Sequence, residues 1–333
     1  MSTPLRFFLL LLLCGLLCVE GAEVAGYHID METCSGVIKA GHNNATVERA
    51  LCRTFFERLS NLTRAAARGS TSLPKPLKVA VDTGTAWTCP PEPSCKPPAC
   101  GCINITWNGV SKPVGHHVVD IADESVLMDY SRDADQVYAR ARPFLQYADS
   151  AILADHLHRV RVGVAISKCV PGAPPTKPPC QTRPWDCRSD LELAELMAAL
   201  RSRLQRHPSF AGFAVFYDSR WFAQRQHPAP THTVWPQNTS VWYMNHSMVL
   251  DTDPAVRDAW LHWAKVRSIQ HIFSAPRASN VPLLGNPDRE TKFCKFLTQA
   301  AAQDINVYIS GDWVTDYDLE FIKNCSTRDS TGP

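Results

Sequence analysis

The chain has 333 residues, 45% of them apolar and 20% charged, with a formal net charge of +2. This is a globular composition that supports a sizeable core in one large or two small domains. No run of Lys or Arg stands out, which argues against nucleic acid or an anionic membrane as partner.

Residues 1–22 read as a secretory signal peptide. Arg6 precedes an apolar run from Phe7 to Val19, and small residues follow at Gly21 and Ala22. The run is short for a membrane span, and no later segment is long and apolar enough for one, so a soluble, exported protein is expected. Six Asn-x-Ser/Thr sequons (Asn44, Asn61, Asn104, Asn238, Asn245 and Asn324) fit that route. Eleven cysteines follow the signal segment, at 34, 52, 89, 95, 100, 102, 169, 180, 187, 294 and 325. In an oxidising compartment disulfides are the default, and the spacings match no zinc ribbon. An odd number leaves at least one thiol free or bridging two molecules.

Strand-like and helix-like segments then alternate. The stretch Gly26-Tyr27-His28-Ile29-Asp30-Met31-Glu32-Thr33 reads as a short strand ending in carboxylates, with His28, Asp30 and Glu32 on one face. A helix over 44–68 carries Val47, Leu51, Phe55 and Leu59 at helical spacing. A strand over 77–81 closes with Asp82, and the Cys/Pro-rich loop 88–107 looks too irregular for regular structure. A strand over 123–128 runs into Asp129-Tyr130-Ser131. Asp133 or Asp135 can cap the following helix, which ends near 149. His116-His117 reads as a surface pair on the polar approach to that strand.

A strand over 160–166 precedes a second Cys/Pro-rich loop. Ser189-Asp190-Leu191-Glu192 is a capping box that opens a helix ending near 206. The strand at 210–216 closes with Tyr217-Asp218, and Trp221 follows. Residues 224–237 form a connector. The strand at 241–244 contains Trp242, and Asp253-Pro254 starts a helix running to about 266. Strands at 269–273 and 305–309 flank a helix at 288–303, and the last strand ends in Gly311-Asp312-Trp313. A final helix is expected at 316–323. Cys294 and Cys325, on or at the end of these two consecutive helices, are an expected disulfide. Residues 326–333 read as a tail.

Eight strands with intervening helices or loops predict a single (β/α)8 barrel over 23–325. The alternative, an open doubly wound sheet, lacks any Gly-rich phosphate turn. In a barrel, Asp30, Glu32, Asp82, Asp129, Asp218 and Asp312 converge on one mouth, where Trp87, Tyr130, Tyr217, Trp221, Trp242 and Trp313 add aromatic faces. Carboxylates polarise a glycosidic oxygen and flat rings stack on sugar faces, so a carbohydrate ligand or substrate is expected. Glu32, the acid nearest the mouth, is the best general acid, and Asp30 beneath it raises its proton affinity by like-charge repulsion. No cofactor or metal is expected, although an acid-rich mouth suits a divalent cation with oxygen ligands. Ser/His/Asp hydrolysis finds no support, because no G-x-S-x-G occurs.

Ala25-Gly26-Tyr27-His28-Ile29-Asp30-Met31-Glu32 resembles the fourth-strand motif of the family 18 glycoside hydrolases, the chitinase-like barrels. That motif reads roughly D-G-x-D-x-D-x-E. Gly26, Asp30 and Glu32 fit, and Ala25 and His28 replace acids. Met128-Asp129-Tyr130 looks like the family's sixth-strand M-x-Y-D, with Ser131 in place of the last acid. The run from Phe210 to Val215, then Trp221, is similar to the last strand and its ring-stacking Trp. The broader pattern also looks like secreted glycosidase-type barrels of uncharacterised function.

The resemblance implies that 23–223 supply strands four to eight and 238–325 strands one to three, a circular permutation with 224–237 joining the old ends. A fragment of a tandem array or a faulty gene model are the alternatives. It also implies substrate-assisted attack by an N-acetyl group, with Tyr130 steadying the intermediate. The strand ending Ala165-Ile166-Ser167-Lys168 carries no carboxylate where other barrel glycosidases place a nucleophile. An inverting pair using Asp129 or Asp218 as base is the alternative mechanism. A non-catalytic barrel that binds glycans or a protein is the alternative class, favoured by the acids lost at Ala25, His28 and Ser131.

Overall fold

A computed structural model describes residues 24–30, 34, 37–39, 45–69, 77–84, 87, 100–102, 104–131, 133–154, 156–166, 190–217, 235–243, 254–274 and 287–311. Eight parallel strands close into a barrel: β1 (Val24–Ile29), β3 (Lys78–Gly84), β7 (Glu124–Met128), β8 (Arg159–Ile166), β9 (Phe210–Tyr217), β10 (Thr239–Tyr243), β11 (Ile269–Ser274) and β12 (Asn306–Gly311). The first and last close the ring, with Val24 opposite Val307 and Ile29 opposite Gly311. The expected barrel is therefore the observed one. Helices α1 (Ala45–Gly69), α2 (Val114–Ile121), α3 (Ala134–Leu153), α4 (Asp190–Leu204), α5 (Pro254–Val266) and α6 (Pro287–Ala301) accompany it. Among the described residues, no helix is long and apolar enough to cross a membrane.

Strand alternation divides the core in two. Tyr27, Ile29, Val79, Val81, Leu127, Val162, Phe213 and Ile309 belong to the large outer cluster, together with helix residues such as Phe55, Phe144, Met197, Trp260 and Phe293. Val126, Ala214, Trp242, Phe273 and Tyr308 form a separate inner cluster. Gly26 marks a close approach of β1 to β3, because a Cβ there would lie 2.1 Å from the Lys78 carbonyl oxygen.

The N-terminal end of the barrel is held by a buried ion pair. Arg161 Nε donates to Glu124 Oε1 at 2.5 Å, and Arg161 Nη1 donates to the carbonyls of Asn238 at 2.6 Å and Ala211 at 3.3 Å. Gly212, with φ of +122°, makes room for the Asn238 carbonyl, which would lie 2.3 Å from an added Cβ. Asp133 caps α3: its Oδ1 accepts from the amides of Asp135 at 2.8 Å and Gln136 at 3.4 Å.

Three local expectations are corrected. The stretch 88–107 contains regular structure: β4 (Cys100–Cys102) pairs antiparallel with β2 (Val37–Lys39), and β5 (Ile105–Trp107) pairs with β6 (Val110–Lys112). The Asn108-Gly109 turn between β5 and β6 has φ of 48° and 78°, the left-handed pair a two-residue hairpin requires. Second, His116 and His117 lie on α2, a helix of eight residues whose Val-rich sequence has a strand's propensity. Third, His117 is buried and its Nε2 contacts the Ile105 carbonyl at 2.7 Å, so packing against the hairpin replaces the expected surface position. His116 stacks on Tyr147 with centroids 3.7 Å apart.

Cys34 and Cys52 form a disulfide that ties the chain just past β1 to α1. Cys294 is also disulfide-bonded. Its expected partner Cys325 lies outside the described residues, as do the signal segment 1–22, the connector up to 234, the helix at 316–323 and the tail 326–333.

Candidate functional site

The C-terminal halves of β1, β3 and β10 bring three polar side chains together inside the barrel. His28 is fully buried and points inward, because its neighbours Tyr27 and Ile29 face the outer layer. Its Nε2 lies 2.8 Å from Asp82 Oδ2. The Trp242 indole Nε1–H points at both, 3.0 Å from His28 Nε2 and 3.2 Å from Asp82 Oδ2. The imidazole stacks on Phe273 with centroids 4.0 Å apart and 27° between planes. Asp82 and Trp242 are each 2% exposed. Removing such groups from water is costly without compensating bonds, and here an acid, an imidazole and an indole compensate one another.

An aromatic series extends from this cluster. Trp242 neighbours Phe273 at 5.7 Å and Phe216 at 6.3 Å, and Phe216 neighbours Tyr130 at 5.9 Å. Tyr130 is half-buried just beyond the C-terminal end of β7, so the series runs from the interior to the strand ends.

Asp30, partly exposed, immediately follows β1, and alternation places it on the face of His28. Asp129 is buried outside this cluster. Its Oδ1 accepts from the Ser131 amide at 3.2 Å and from Arg140 Nη1 on α3, also at 3.2 Å. That pairing ties the end of β7 to the helix that follows. Trp87 packs in the outer layer against Phe55, with centroids 5.7 Å apart, and is 4% exposed. Tyr217 ends β9. Glu32, Asp218, Trp221, Asp312 and Trp313 lie outside the described residues.

The structure therefore brings together Asp82 and Trp242, with Tyr130 joined to them through Phe216, and places Asp129 and Trp87 in other contacts. The sequence reading puts His28 on one strand face with Asp30 and marks it as a departure from an acidic motif, without naming it a site residue, and it treats Phe216 and Phe273 only as strand apolar residues. The signal that could have raised His28 is its place on the same strand face as Asp30. Among the described residues, one group of three potential ligating side chains converges, Cys34, Glu48 and Cys52. The two sulfurs are joined in a disulfide and offer no thiolate.

No family model matches the chain, and no curated protein matches it. These comparisons do not support family 18 in particular. Among solved structures, the chain is similar to a sugar phosphate isomerase/epimerase from Parabacteroides distasonis, with 11% identity and a TM-score of 0.40 over 93% of this chain and 97% of that one. It is also similar to the endo-β-mannanase/endo-β-glucanase of Prevotella bryantii, with 10% identity and a TM-score of 0.41 over 91% of this chain and 48% of that one. The chain is an eight-stranded parallel barrel of the TIM type, as its own strand pairing establishes.

Proposed function

We propose that this chain is a secreted barrel that acts on glycans, with Glu32 as general acid and Asp30 beneath it. The observation that carries the reading is the cluster of Asp82, His28 and Trp242 inside the barrel, continued by Phe216 and Tyr130 at the strand ends. Acidic and aromatic groups at the C-terminal end of barrel strands suit a sugar, whose hydroxyls seek carboxylates and whose apolar face seeks a ring. A substrate-assisted mechanism, in which an N-acetyl group attacks and Tyr130 steadies the intermediate, fits the motif resemblance. The permuted strand order fits as well, since a closed ring keeps its neighbours wherever the chain begins. Export follows from the residue 1–22 segment and the sequons. A mature protein beginning near residue 23 and carrying glycans would match it, and retention of residues 1–22 would overturn it.

A second reading, a barrel that binds glycans without cleaving them, is favoured by Asp129. Its carboxylate is held by Arg140 and the Ser131 amide. One experiment decides between the two: a panel of oligosaccharides, N-acetylated ones included, assayed for binding and hydrolysis. The hydrolase reading expects turnover that falls roughly 10²–10⁴-fold in Glu32→Gln while binding persists. Binding without turnover supports the second reading. Neither binding nor turnover across the panel removes both.

A further inference from the structure

The contact between His28 Nε2 and Asp82 Oδ2, at 2.8 Å, requires one hydrogen between two atoms that both attract it. His28 Nδ1 is buried and has no hydrogen-bond partner among the described residues. A hydrogen on Nδ1 would be a buried donor without an acceptor, a costly arrangement. The hydrogen therefore belongs on Nε2, where it is donated to Asp82. The Trp242 N–H lies 3.0 Å from His28 Nε2 and 3.2 Å from Asp82 Oδ2; with the hydrogen on Nε2 only the carboxylate can accept it, so Trp242 becomes the second donor to Asp82. Two donors on one carboxylate oxygen favour its charged form. Phe273 covers one imidazole face and keeps water from it.

We propose that His28 and Asp82 form a positioning pair that fixes a buried negative charge beside Asp30 and so helps the carboxyl groups of the mouth retain a proton. The proposal rests on the glycan reading above only for what the retained proton is used for. Ile29 stands opposite Val81, so the next register position sets Asp30 beside Asp82 on the neighbouring strand, about 5 Å away backbone to backbone. A like charge at that range in a poorly solvated interior raises a carboxyl group's proton affinity. Among the described residues, the other titratable groups on inward strand faces are Lys78, His271, Tyr308 and the Glu124–Arg161 pair, and they lie toward the N-terminal end. Asp82 is the charged partner in contact with His28.

The test needs no substrate. In protein labelled with ¹³C at the aspartate carboxyls, the Asp30 signal is identified by its loss in Asp30→Asn and titrated in wild type and in Asp82→Asn. The expected result is a midpoint lower by ~0.5–1.5 pH units in Asp82→Asn, because a like charge has been removed. The ¹⁵N signals of His28, identified by loss in His28→Gln, should report the hydrogen on Nε2. An unchanged Asp30 midpoint, or a hydrogen on Nδ1, overturns the proposal. His28→Gln keeps Asp82 charged and still offers it an N–H, so its Asp30 midpoint should match wild type. This variant also decides the case if Asp82→Asn fails to fold, since a lowered midpoint in it would show that the shape of the pair, and not its charge, matters. If the oligosaccharide panel is silent while the midpoint drops, the pair stands and the hydrolase reading falls. If hydrolysis is found and the midpoint does not move, the reverse holds.

Discussion

The two ends of the barrel interior both bury charge, and they treat it differently. At the N-terminal end, Arg161 spends its donors on Glu124 and on two backbone carbonyls contributed by β9 and the approach to β10. At the C-terminal end, Asp82 receives an imidazole and an indole, and one imidazole nitrogen has no partner among the described residues. A closed ion pair seals a barrel and fixes register. A cluster with spare hydrogen-bonding capacity is where a ligand or a proton can be received. This division matches the general habit of such barrels, stability at one face and chemistry at the other.

The sharpest way to break the comparison is at the sealed end. Arg161→Met should destabilise by about 3–5 kcal/mol, because it leaves Glu124 buried without its partner. A urea midpoint close to wild type would mean that water reaches Glu124 and that this end is not sealed. Near the open end, replacing both Cys34 and Cys52 by Ala should cost about 3 kcal/mol, the loop-closure value for a sequence separation of 18. Chemical denaturation measures this, and a loss below about 1 kcal/mol would show that β1 is not held by the staple.

A pH titration probes the outer wall of the sealed end. His158 is fully buried there, with Nδ1 at 2.8 Å from the Ala122 carbonyl and Nε2 at 3.0 Å from Ser125 Oγ. Burial pushes its pKa down to about 4. The unfolded chain then takes up the proton first, so the stability from neutral His158 is present in full above about pH 6.5 and is lost as pH falls toward 4. Half-buried His116, pushed down to about 4 by burial and then by Lys112, adds to the same window. His158→Gln should be less stable at neutral pH and show a shallower decline from pH 6.5 to 4. An unchanged slope would show that His158 does not titrate in this range. The smallest effect is expected at the open end: Trp242→Phe keeps an aromatic side chain and removes one donor to Asp82, at a cost of roughly 1–2 kcal/mol for the lost hydrogen bond. A loss as large as that of Arg161→Met would erase the contrast between the ends.

The sequence determined the barrel strands because each is a short apolar run bounded by polar or Gly/Pro residues. Six of the eight, such as Phe210–Tyr217 and Ile269–Ser274, lie within two residues of the runs read from the chain, whereas β1 stops at Ile29, short of the stretch read to Thr33, and β3 continues three residues past the expected end to Gly84. Alternation also put His28 and Asp30 on one face of β1 before any contact was known. The hairpin at 105–112 and the helix at 114–121 were not legible, because strand pairs three residues long and a Val-rich eight-residue helix carry almost no periodic signal. Tertiary structure alone decided which acid serves where. Asp129 just follows β7 and Asp82 lies in the C-terminal half of β3, both after apolar runs, yet one finds Arg140 on the next helix and the other finds His28 and Trp242 from two separate strands. Local sequence sets which face a side chain takes. The partner waiting on that face is set by ring closure, which brings β1, β3 and β10 around one interior from distant parts of the chain.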